Sequence, residues 1–134
     1  MALDIENYWV NQTVFLLPTN SLFLLAILNS RLAWWFMSRT LPHKIGEALS
    51  VQKEGLLDIP VPEADNSLKQ AIEQLVRQAC ALAGQPEQRR ELLEIELQLN
   101  ERVMEAYGLT RAEVELVNAT LPLRDPLAVL NCRI

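Results

Sequence analysis

The sequence predicts a mostly helical fold with a small β element, an α+β chain. Three observations predict it. Apolar residues recur at spacings of three and four through two long segments after residue 65. Half of the 134 residues are apolar and 22% are charged, the balance of a chain that folds around a core. One early stretch, Tyr8–Leu17, is dense in β-branched and aromatic residues and stops at Pro18, as a short strand would.

The elements follow in order. After the strand, Thr19, Asn20 and Ser21 offer caps for a helix over about Leu22–Phe36. Apolar groups cover nearly its whole circumference, so it should be buried on most sides, with Asn29, Ser30 and Arg31 as its polar notch. Its clean apolar run, Leu22–Leu28, is only seven residues, whereas a membrane span needs about 20. Ser38–Ser50 has no period and contains Pro42 and Gly46, so it reads as a loop. Val51–Leu57 is a short helix or turn. In Asp58-Ile59-Pro60-Val61-Pro62 the two prolines impose an extended path, which marks a boundary.

Leu68, Ala71, Ile72, Leu75, Val76, Ala79, Cys80, Leu82 and Ala83 define one face of an amphipathic helix capped by Asp65, Asn66 or Ser67. Gly84-Gln85-Pro86 ends it, with Gly at a left-handed position and Pro in the next first turn. A helix over about Glu87–Tyr107 follows, with Leu92, Ile95, Leu99, Val103, Ala106 and Tyr107 inward; the pair forms an antiparallel hairpin. Gly108 closes it. Thr110-Arg111-Ala112-Glu113 is a capping box that opens a short helix over about Arg111–Ala119. The organisation is thus 1–64 (strand, helix, basic loop), 65–120 (hairpin and short helix) and 121–134 (tail).

Twelve Lys and Arg against seventeen Asp and Glu give a net charge of −5, which excludes a globally basic DNA coat. One histidine and two cysteines exclude a zinc ribbon, and no metal or cofactor is expected. Cys80 reads as a reduced core thiol and Cys132 as a tail thiol of a cytoplasmic protein. GxGxxG, GxxxxGK[ST], HExxH and GxSxG are all missing. Glu91, Glu94, Glu101 and Glu105 read as a solvated helix face rather than paired catalytic carboxylates. A small enzyme would have to use His43, the one histidine.

The charge anomaly lies between Arg31 and Lys53. Arg31, Arg39, Lys44 and Lys53 face one acid, Glu47, for a local charge of +3, so the rest of the chain carries −8. Such a segment is either an ordinary solvated loop or a footprint for phosphate. Trp34, Trp35 and Phe36 read as core, or as a surface for stacking or for a partner.

Leu24-Leu25-Ala26-Ile27-Leu28-Asn29-Ser30, then a Gly-containing basic loop, then Leu57-Asp58-Ile59-Pro60-Val61-Pro62, then Tyr107-Gly108-Leu109-Thr110 with Glu113, form an ordered set. In that order and spacing they resemble the TaqI-like C-terminal specificity domain of adenine-specific DNA methyltransferases and combined restriction–modification enzymes. The likeness runs over about residues 8–118. It implies a module that reads duplex DNA and positions it for a methyltransferase domain on the same polypeptide, which flips out an adenine and methylates it from S-adenosylmethionine. The methylating motif [DN]PP[YF] is not found here, and Asp125-Pro126-Leu127 does not supply it. The chain therefore reads as a C-terminal, non-catalytic piece of such an enzyme. On this reading Arg39, His43, Lys44 and Lys53 approach phosphates or base edges, with Ser38, Thr40 and Gln52 as secondary contacts. Asn29 would be a buried amide that ties down the loop backbone, and Asp58–Pro62 a rigid spacer. A protein-interaction module, self-associating through the hairpin, is the alternative.

Overall fold

The structure, a computed structural model, describes residues 16–42, 49 and 51–122. Among them are six α-helices: α1 (Leu22–Asn29), α2 (Arg31–Thr40), α3 (Lys53–Leu57), α4 (Asn66–Leu82), α5 (Arg89–Ala106) and α6 (Arg111–Ala119). A 3-10 turn, Pro86–Gln88, precedes α5. The fold is mostly helical, and no strand occurs among the described residues. Of the strand expected at Tyr8–Leu17, residues 8–15 lie outside the described set, and Leu16 and Leu17 have no regular secondary structure. All but Leu121 and Pro122 of the expected tail also lies outside it.

The single helix expected over Leu22–Phe36 is two helices. Ser21 opens α1 by accepting from the Leu24 amide at 3.1 Å. Ser30 then breaks the run with extended backbone at ψ 157°. Its buried hydroxyl donates to the Ile27 carbonyl at 2.7 Å and accepts from the Ala33 amide at 3.1 Å, closing one helix and capping the next. The Arg31 amide, freed by the break, donates to Asn100 Oδ1 of α5 at 2.6 Å. Asn100 is itself buried and donates to the Glu96 carbonyl at 2.7 Å. A helix end inside a protein needs such a partner, and this is why an amide sits on the inner face of α5. The notch residue Asn29, expected to be buried, is exposed and donates back to the Leu25 carbonyl.

Helix α2 continues past Phe36 to Thr40, so Ser38, Arg39 and Thr40 are helical rather than part of a loop. Helix α4 is capped by Asp65, which accepts from the Leu68 amide at 2.8 Å. Gly84 and Gly108 take the expected left-handed conformation, with φ of 85° and 66°, just past α4 and α5. At Gly108 the Gly108 and Leu109 amides donate to the Glu105 and Met104 carbonyls, closing α5. The capping box is present, with Thr110 and Glu113 bonded reciprocally. Its two donors from Thr110 hold the exposed Glu113 carboxyl below the usual carboxylate range.

Two apolar clusters result. Phe23, Ala26 and Ile27 of α1 pack with Ile72 and Val76 of α4 and Val103 of α5. The units expected on either side of residue 64 therefore share one core. Leu28, Ala33, Met37, Leu41 and Ile59 form the second cluster, joined by Leu24, Trp34, Phe36, Leu49 and Leu56. Ile59 anchors the proline segment there, and the Tyr107 hydroxyl donates to the Pro60 carbonyl at 2.5 Å. Burial pushes the Tyr107 phenol up, so it remains a donor at neutral pH. Cys80, expected in the core, is exposed, because only Ile72 and Val76 of the α4 stripe are fully covered.

Candidate nucleic-acid interface

Ser38, Arg39 and Thr40 form the last turn of α2. Ser38 Oγ donates to the Trp35 carbonyl at 2.8 Å and Thr40 Oγ1 to the Phe36 carbonyl at 3.0 Å. Both hydroxyls thus serve carbonyls of their own helix. Gln52 and Lys53 are exposed at the start of α3, and the Gln52 side chain makes no capping bond. His43 and Lys44 lie outside the described residues. The second cluster seats α3 against the end of α2 through Leu41 and Leu56. Gly55 packs closely there, and a Cβ on it would force the Leu41 side chain to shift. The structure thus holds Gln52 and Lys53 on a segment packed at the end of the helix that carries Ser38, Arg39 and Thr40.

Arg39 is the best-defined group. Its guanidinium lies over the Trp35 indole, 4.2 Å from the ring centroid. Nη1 donates to the Trp35 carbonyl at 3.1 Å and to Ser38 Oγ at 3.3 Å, and Nη2 donates to the Thr120 carbonyl at 3.0 Å. Trp35 Nε1 donates to Thr120 Oγ1 at 2.8 Å. Among the described residues every acceptor on Arg39 is a neutral oxygen, and none is a carboxylate. Arg77, Arg90, Arg102 and Arg111 behave differently, each lying within 3.6 Å of a glutamate three or four positions away on the same helix. An exposed, fixed, uncompensated guanidinium suits an anion.

Trp35 is therefore half-buried and polar-bonded rather than simple core, and Trp34 and Phe36 flank the second cluster. Trp35 and Arg39, four apart, are neighbours on one helix face, a pairing visible in the sequence. Thr120 is 81 residues from Arg39, and no local pattern indicates it. A separate open groove of about 390 Å³ lies between α4 and α5, lined by Gln78, Leu82, Glu91, Glu94, Ile95 and Gln98. Glu91, Glu94, Glu101 and Glu105 are all exposed. No helix among the described residues is long and apolar enough to cross a membrane. No protein-family model, curated protein or solved structure matches the chain.

Proposed function

We propose that the chain is the C-terminal part of the DNA target-recognition domain of an adenine-specific DNA methyltransferase or restriction–modification enzyme, acting in the cytoplasm. It binds duplex DNA and positions it for the methyltransferase domain of the parent polypeptide, and it carries no catalysis of its own. The observation that supports this reading best is Arg39, exposed and, among the described residues, held by neutral oxygens, within the segment of local charge +3. Phosphate neutralisation by such groups supplies most sequence-independent affinity for DNA. Lys53, His43, Lys44, Gln52, Ser38 and Thr40 belong to the same reading as further contacts.

The test is a salt titration of binding to labelled duplexes of random sequence. Binding should weaken linearly on logarithmic axes, and Arg39→Ala should reduce the slope by about one. A chain that shows no salt-sensitive binding but self-associates with concentration would instead be a helical-hairpin interaction module.

A further inference from the structure

Thr120 ends α6, and its hydroxyl is used twice. It accepts from Trp35 Nε1 at 2.8 Å and donates to the Leu116 carbonyl at 2.7 Å. The Thr120 carbonyl takes one Nη2 hydrogen of Arg39 at 3.0 Å. One residue of α6 therefore fixes both members of the stacked pair on α2. Of the five N–H donors of a guanidinium, three meet neutral oxygens and two meet no acceptor among the described residues. A long side chain that is already stacked and bonded loses little rotamer freedom when it meets a ligand.

We propose that Thr120 is a positioning residue: from the end of α6 it locks Trp35 and Arg39 into a rigid platform that receives a backbone phosphate of duplex DNA. The inference rests on the DNA-binding reading above and adds to it the part played by α6. The Arg39 bond uses a backbone carbonyl that any residue keeps, so the side chain acts through Trp35, where it must accept from the indole while donating to the Leu116 carbonyl. Serine does this and valine, of nearly the same shape as threonine, does not.

The experiment is a double-mutant cycle on the full chain, read by affinity for labelled random-sequence duplexes at low salt. Thr120→Val should weaken binding by about three- to tenfold, the worth of one neutral hydrogen bond, and Thr120→Ser should restore it. In an Arg39→Ala background Thr120→Val should have no further effect. Helicity and melting midpoint, followed by circular dichroism, confirm that each variant folds. Equal weakening by Thr120→Val with and without Arg39 overturns the positioning role, and so does tighter binding by Thr120→Val, which would make the contact a restraint on Arg39. A wild-type chain that binds no DNA overturns the functional reading itself, and the positioning role with it.

Discussion

The end of α2 and the α4–α5 hairpin treat arginine in opposite ways. On the hairpin and α6, Arg77, Arg90, Arg102 and Arg111 each meet a glutamate on their own helix, so the surface is charged but locally neutralised. On α2, Arg39 is exposed, stacked on an indole and, among the described residues, bonded to neutral oxygens rather than to a carboxylate. Counting arginines cannot separate these regions, because residues within reach decide what each charge does. Helix α1, which leads into α2, nevertheless shares a core with the hairpin through Ile27, Ile72 and Val103.

The strongest way to break that comparison is to attack the shared core. Ile72 is fully buried where α1 packs on the hairpin, so Ile72→Ala should cost about 3 kcal/mol and lower the melting midpoint by about 10 °C. Differential scanning calorimetry should still show one transition. Two separated transitions would mean that the amino-terminal helices and the hairpin fold independently. A smaller effect is expected at the capping box. Thr110→Ala should cost about 1 kcal/mol in urea unfolding at neutral pH. Glu113 has a folded-state value below its unfolded one, so its contribution is complete above the ordinary carboxylate range and is lost as pH falls through and below that range. Thr110→Ala should flatten that part of the stability–pH profile, and an unchanged profile would remove the box from the account. The smallest effect sharpens the arginine contrast. Arg90→Ala deletes an exposed pair with Glu94, so stability should shift by less than about 0.5 kcal/mol and the salt slope of DNA binding should stay unchanged. A slope that drops as much as it does for Arg39→Ala would erase the distinction between the two surfaces.

Much of the helical architecture was legible because its signals are local. Asp65, Gly84, Gly108 and the Thr110–Glu113 box set their boundaries within a few residues, and α6 spans the segment expected of it. The break at Ser30 was not legible, since an apolar pattern that resumes after the Asn29-Ser30-Arg31 notch outweighs one serine until Asn100 offers its side chain from 69 residues away. Cys80 misled for a related reason. A stripe shows which face turns inward but not how far the neighbouring helix extends over it. The site was half legible. Arg39 and its setting of positive charge stand out in the sequence, whereas its anchor Thr120 arrives only with the tertiary fold. His43 and Lys44 lie outside the described residues.

The bond between the Arg31 amide and Asn100 also constrains the order of assembly. The residues of α1 and α2 are synthesised well before those of α5, and the partner of the Arg31 amide follows it by 69 residues. The bond closes once the hairpin has folded back over α1. Closing so long a loop is entropically costly, and the buried contacts among α1, α4 and α5 offset that cost. The bond therefore ties the start of α2, the helix that carries Arg39, to the last long helix to be synthesised.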